Sequence, residues 1–279
     1  MIPILMYHQV AEIPSKQDPF GLAVPPDQFE QQMSYLARNA YRCLTLTEAV
    51  QHLRKGRREL DRAFVLTFDD GYQDIHSKAS PIMERFGFTA TVFLVAGCMC
   101  SLSNWSGQEG ACSGLLLSWA EARDLARRGF TLGSHTLSHP RLSLQDDQSA
   151  FEEIWNSRVL LQDQLDMQVD LFSYPYSNSD ARIERLVESA GYTAACAGDS
   201  GPWSVFHLWR VPCLRYDTTL SFSLKASGLY NKRTALRESA PGLLLRRSVR
   251  MFRRRLIIRH PRHLAVLNQD LDRESERGP

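Results

Sequence analysis

The sequence predicts an α/β barrel of about seven parallel strands, and three observations predict it. Apolar strand candidates recur seven times, amphipathic helical patterns lie between them, and ionisable residues gather just past the strand ends. Alternation of that kind argues parallel strands joined by crossover helices. Seven strands in one order of repetition suggest a sheet closed, or nearly closed, on itself.

The strand candidates are Ile2 to Tyr7, Ala63 to Phe68, Thr89 to Val95, Phe130 to Ser134, Leu171 to Tyr174, Thr193 to Cys196 and Leu208 to Pro212. Ala63 to Phe68 is apolar and partly β-branched, the composition of a strand covered on both faces. The helical patterns run over Pro26 to Asn39, Thr47 to Lys55, Ala79 to Phe86, Ser118 to Arg128, Gln148 to Leu165 and Ser179 to Ala190. Phe86-Gly87-Phe88, Arg128-Gly129-Phe130 and Ala190-Gly191-Tyr192 each put Gly just past a helix, where a left-handed cap is needed.

A chain of 279 residues with 43% apolar content can bury a large core, and one barrel with a tail fits as well as two small domains. The expected division is a barrel over residues 1–230 and a basic amphipathic extension over 231–279. The six Cys (Cys43, Cys98, Cys100, Cys112, Cys196, Cys213) show no paired metal spacing, so reduced thiols are the default expectation; a disulfide among Cys98, Cys100 and Cys112 ranks second. MIPILMYHQV has no basic leader, long apolar stretch or small-residue cleavage site and reads as a first strand. No run of about 18 apolar residues appears. The expected location is cytoplasmic, with peripheral contact on the inner face of the membrane as an extension of that expectation.

The net charge of +2 hides an asymmetry: residues 246 to 269 hold eight Arg and no acid, so the rest of the chain is mildly acidic. Leu245, Val249, Phe252 and Leu256 recur at helical spacing, with Arg246, Arg247, Arg250, Arg253 and Arg254 on the other side. Docking on the acidic body and peripheral membrane contact through residues 243–260 stand at even odds; nucleic acid fits the charge alone and is not expected.

Active sites of such barrels lie at the C-terminal strand ends. In VLTFDDGY the second strand ends in Asp69 and Asp70, which can serve one site only if the backbone bends; Gly71 permits a bend. Solvated or helix-capping carboxylates are the plain alternative. His135 and His139, four residues apart, would sit on one side of a helical turn, though Pro140 favours a turn over a long helix. Two His and one carboxylate hold a divalent metal with open positions for water and substrate. Asp70 is the expected third ligand, and Asp69 the proton acceptor for the attacking water. Tyr176, after Pro175, is placed to offer a backbone N–H to an oxyanion, a donor typically worth roughly 3 to 4 kcal/mol.

TFDDGY, SHTLSH and FSYPYS, with LMYHQV at the start and LSWAEARDLARRGFTLGSHTLSH unbroken, resemble the NodB-type polysaccharide deacetylases, carbohydrate esterase family four, over about residues 1 to 225. The resemblance implies a deformed (β/α) barrel, metal ligands Asp70, His135 and His139, the base Asp69, and hydrolysis of an N-acetyl group on an amino sugar. It implies Zn²⁺ first, with Co²⁺ or Ni²⁺ as alternatives. FSYPYS lacks the Arg that usually orients the base, and the late leucine-x-histidine motif is absent. Members resembling the circularly permuted poly-N-acetylglucosamine deacetylases share both departures. The match gives His8 in Met6-Tyr7-His8 the protonation of the leaving amine. Arg210 is the candidate for the missing orienting Arg, an ordinary salt bridge being equally open.

The expected substrate is an N-acetylated glycan or a lipid-linked sugar. A deformylase acting on a lipid-linked amino sugar and a carbohydrate-binding barrel without turnover are the alternatives. Trp105, Trp119, Tyr72 and Tyr176 could stack on a sugar, with packing preferred for all but Tyr176. Trp119 is expected to start a helix after Ser118 and pack inward.

Overall fold

The structure, a computed structural model, describes residues 2–56, 60–103, 114–198 and 203–230. Trp105, Cys112 and the basic tail with its 243–260 segment lie outside the described residues, as does the whole of the expected extension over 231–279.

The elements run β1 (Ile4–Tyr7), β2 (Gln9–Val10), β3 (Ala23–Val24), α1 (Pro26–Arg38), β4 (Arg42–Leu44), α2 (Leu46–Arg54) and β5 (Ala63–Phe68). A π-helical turn, Ile75–Ala79, then leads directly into α3 (Ser80–Arg85). After it come β6 (Thr91–Leu94), α4 (Trp119–Arg127), β7 (Thr131–Ser134), α5 (Asp147–Leu165), β8 (Leu171–Ser173), α6 (Ala181–Ser189), β9 (Ala194–Cys196), β10 (Val211–Pro212) and α7 (Thr219–Ala226). Capping residues set several helix starts. Thr45 with Glu48 and Ser118 with Glu121 form reciprocal capping boxes, and Asp146 and Asp180 cap α5 and α6. Gly87, Gly129 and Gly191 all take positive φ, as the cap reading requires.

All strand pairs are parallel, in the order β10-β1-β5-β6-β7-β8-β9. Two features deform this barrel. One edge of β5 is shared: Arg42–Leu44 pairs with Ala63–Val65, and β6 takes over at Thr67 and Phe68. The seam is spanned by one segment, in which Leu208 pairs with Cys196 of β9 and Val211 pairs with Leu5 of β1. The sequence expectation of one strand over Leu208 to Pro212 thus becomes a bridge followed by a two-residue strand.

Strand alternation sorts side chains between two cores. Leu5, Tyr7, Phe64, Leu66, Phe68, Val92, Leu94, Leu132 and Phe172 join the larger cluster beneath the helices. Ile4, Val65, Phe93, Leu171, Ala194, Cys196 and Leu208 form part of a second cluster that plugs the barrel. Above that plug the inward positions turn polar: Thr67, Asp69, Ser173 and Arg210 are all buried. Trp119 starts α4 and packs partly buried on the larger core, and Tyr72 is buried there, so packing is the role of both. Cys43, Cys98, Cys100, Cys196 and Cys213 are free thiols.

Candidate metal centre

Asp69 continues the β5 ladder, its N–H donating to the Tyr7 carbonyl at 3.0 Å. The chain turns at the next residue, where Asp70 takes φ 70° and Gly71 φ 73°. Sequence reasoning assigned the bend to Gly71; Asp70 shares it, adopting a left-handed conformation that costs an ordinary L-residue about 1–2 kcal/mol and Asp rather less. This kink lets adjacent carboxylates face one cavity.

His135 and His139 follow β7 in a turn, as the Pro140 reading favours, and that turn is not helical, so their spacing of four does not reflect one side of a helix. Thr136 and His139 have φ 69° and 65°, so the loop is two left-handed kinks. Glu153 of α5 holds it: Oε2 accepts from Leu137 N at 3.0 Å and Ser138 N at 2.9 Å, and Oε1 accepts from Ser138 Oγ at 2.6 Å. Thr136 Oγ1 takes the His139 N–H at 2.9 Å. His135 Nδ1 lies 2.7 Å from the Ser173 carbonyl, a contact that requires Nδ1 to carry the proton and leaves Nε2 to face Asp70. The Nε2 atoms of His135 and His139 stand 3.5 and 3.2 Å from Asp70 Oδ1.

This buried trio fits a divalent cation. One donor atom from each residue lies within 4.8 Å of the others. Burial, opposed first by Asp69, holds the His135 pKa down to about 4, so its imidazole is the neutral form that ligates at neutral pH. Burial raises the Asp70 carboxyl, but contacts led by His139 prevail and leave it below its usual range.

Asp69 belongs to a separate network. Arg210 donates Nη1 to Oδ1 and Nη2 to Oδ2, both at 2.7 Å, while Ser173 Oγ donates to Oδ1 at 3.2 Å. Arg210 is fully buried, its Nε bound to the Ala197 carbonyl at 3.0 Å and Nη2 to Ser173 Oγ at 2.9 Å. Burial alone would raise the Asp69 pKa; Arg210, ahead of His135, drives it well below the carboxylate range. A carboxylate offers about four lone-pair positions. Among the described residues, the single donor on Oδ2 leaves it accepting capacity.

Both Asp, both metal-loop His, His8 and Tyr176 line one cavity of about 400 Å³, together with Arg141. Tyr176 has φ 58° in the turn Pro175–Ser177, and its ring lies 4.7 Å from that of His139. The Arg141 guanidinium covers the Tyr176 ring at 4.2 Å. His8, half-buried, sits between β1 and β2, and the next turn of backbone is tied down by Val10 N donating to Asp74 Oδ1 at 2.8 Å. Burial pushes the Asp74 carboxyl up to about 6.

The cavity brings together six of the seven sequence candidates; Arg210, the seventh, joins them through Asp69. Ser173, Glu153 and Asp74 were missed. Ser173 lay inside the quoted FSYPYS motif, whereas Glu153 offered only one acid among several on an amphipathic helix.

Residues 56–195 match the family model described as polysaccharide deacetylase. YxkH of Bacillus subtilis, named for a polysaccharide deacetylase, is 28% identical over 200 residues, covering 72% of this chain and 65% of that protein. The poly-beta-1,6-N-acetyl-D-glucosamine N-deacetylase of Escherichia coli K12 is 28% identical over 119 residues, 41% of this chain; the match spans only 18% of that protein. The Streptococcus pyogenes deacetylase PplD, solved with acetate, superposes with a TM-score of 0.69 at 22% identity, covering 81% of this chain and 97% of that one. Its fold is this fold.

Proposed function

Because the chain belongs to the polysaccharide deacetylase family, we propose that it is a metal-dependent hydrolase removing the N-acetyl group from an amino sugar of a glycan. One observation carries the reading: a carboxylate clamped by Arg210 lies beside a separate three-donor cluster on the same barrel rim. Asp70, His135 and His139 would hold the metal, with Zn²⁺ preferred and Co²⁺ or Ni²⁺ as alternatives. Bound there, it supplies a Lewis acid for the amide carbonyl and lowers the pKa of water from ~15.7 towards ~7.

Asp69 takes the proton released as water adds to the amide carbon. Arg210 and Ser173 fix the orientation of its carboxylate, and the depressed pKa keeps it ionised at neutral pH. The Tyr176 N–H donates to the oxygen that gains charge. His8 gives a proton to the nitrogen as the C–N bond breaks, so acetate and the free amine leave. A binding-only barrel was motivated by a missing orienting Arg and a missing late His; Arg210 on both oxygens of Asp69 and His8 in the cavity remove that motive.

The substrate proposed is a polymer of N-acetylglucosamine, on the strength of the relative named for the β-1,6-linked polymer. Acetate release from β-1,6-linked N-acetylglucosamine oligomers should vanish with chelator and return with Zn²⁺, Co²⁺ or Ni²⁺. A lipid-linked N-acetyl sugar and its N-formyl counterpart complete the screen. No acid released from any of these under metal-replete conditions would sink the proposal. His8→Ala should cut kcat on the amide by ~10²- to 10⁴-fold while leaving metal content unchanged. An activated acetate ester, whose leaving group needs no proton, should be hydrolysed by this variant almost as fast as by the parent.

A further inference from the structure

The catalytic cavity has a second wall that the chemistry above does not use. Phe20 lines it, yet 53% of that residue is exposed, and Tyr216 is 62% exposed. Rings of this size are normally drawn inside by burial. These two sit on loops that are fastened to each other. Arg215 Nη1 donates to Asp18 Oδ2 at 3.2 Å and to the Ile13 carbonyl at 2.8 Å, and Arg215 N donates to the Gly21 carbonyl at 2.8 Å. Asp18, fully buried, also accepts from Leu22 N at 2.7 Å and Ala23 N at 3.2 Å.

Gly21 makes room for the Tyr216 ring. It has φ 70°, and a Cβ there would stand 2.5 Å from Tyr216 Cε2. The Tyr216 ring therefore rests on bare backbone one residue from Phe20. The result is two aromatic surfaces open to solvent on tied loops, of which Phe20 lines the cavity.

We infer that Phe20 and Tyr216 form a stacking platform for a second sugar ring, next to the unit whose acetyl group enters the cavity. A pyranose presents an apolar C–H face with polar edges, which suits an aromatic ring beside water. The inference rests on the deacetylase reading and adds a preference for chains over single sugars.

The test is binding by titration calorimetry, using the metal-replete full chain with Asp69→Asn so that turnover does not intrude. The probes are N-acetylglucosamine and its β-1,6-linked pentamer. The pentamer should bind more tightly than the monomer, and Phe20→Ala with Tyr216→Ala should weaken pentamer binding about five- to tenfold, collapsing the ratio. Leu224→Ala, an exposed apolar change on α7, should preserve the ratio. A chain that binds both probes equally, or a double variant that keeps the ratio, overturns the platform. Phosphatidylglycerol vesicles are the third probe: loss of vesicle binding in the double variant with the sugar ratio intact assigns the rings to a membrane surface and overturns it too. Acetate release by the unmutated chain is read separately, and its absence counts against the deacetylase reading whatever the binding ratio.

Discussion

One half of the site is carried by strands and the other by kinked loops, and the two halves are held by different forces. Asp69 directly follows β5, Ser173 ends β8 and Arg210 lies in the seam segment, where strand register dictates their positions and burial is nearly complete. Asp70, His139 and Tyr176 take φ 70°, 65° and 58°, and their loops depend on hydrogen bonds from neighbours such as Glu153. The difference teaches where each kind of damage should register. Injury to the strand half should cost folding stability, and injury to the loop half should cost metal affinity.

The sharpest contrast lies between the two adjacent carboxylates. Asp69→Asn and Asp70→Asn should each lower turnover by at least ~10²- to 10⁴-fold. Elemental analysis should find metal retained in the first and lost from the second. If Asp69→Asn empties the site, the roles of the two residues are exchanged and the division into halves fails.

Arg210→Met attacks the strand half at its centre. It leaves the Asp69 carboxylate buried without its partner, a change that costs about 3–5 kcal/mol. Denaturant unfolding should show that loss; a melting curve like the parent's would mean that solvent reaches Asp69. Glu153→Gln attacks the loop half instead. Losing the carboxylate that anchors two N–H groups and a hydroxyl should weaken metal binding by about 10- to 100-fold, the usual effect of removing support behind a ligand. Competition with a chromogenic chelator measures it, and the unfolding midpoint should move little.

Asp74 gives an effect that depends on pH and so the finest discrimination. Its folded pKa of about 6 lies above that of an unfolded Asp, near 3.9. Its contribution to stability is therefore fully present below about pH 3.9 and is lost as pH rises through about 6. Asn keeps the acceptor for Val10 N and carries no charge. Asp74→Asn should nearly match the parent at pH 4 and exceed it by roughly 2 to 3 kcal/mol at pH 8, read from melting curves at both values. Equal stability at both would show that water already solvates the carboxylate.

The same division explains what the sequence made legible. β5, Ala63–Phe68, was predicted to the residue because a strand buried on both faces leaves an unbroken apolar run. The clustering of Asp70, His135 and His139 was readable because ligand chemistry restricts which residue types can share a metal site. Arg210 could be singled out only as one option of two, since its partner lies 141 residues away and no local pattern announces the pairing. Short elements escaped: β2, β3 and β4 have two or three residues each, too few to display a period. The left-handed turns at Asp70, Thr136 and His139 escaped as well, because none is glycine and long-range contacts impose them.

The seam segment has a further consequence during synthesis. Residue 210 leaves the ribosome long after residue 69, and at typical elongation rates of ~5–20 residues per second the interval is on the order of ten seconds. Throughout that time the nascent sheet has an open edge at β1 and a carboxylate without its guanidinium. Contacts of such sequence separation form late and slow the final folding step. The arrival of Arg210 neutralises that carboxylate as its segment closes the gap between β9 and β1. A chain cut short before Leu208 would thus lack both, and hydrolysis would report that translation had run through the barrel.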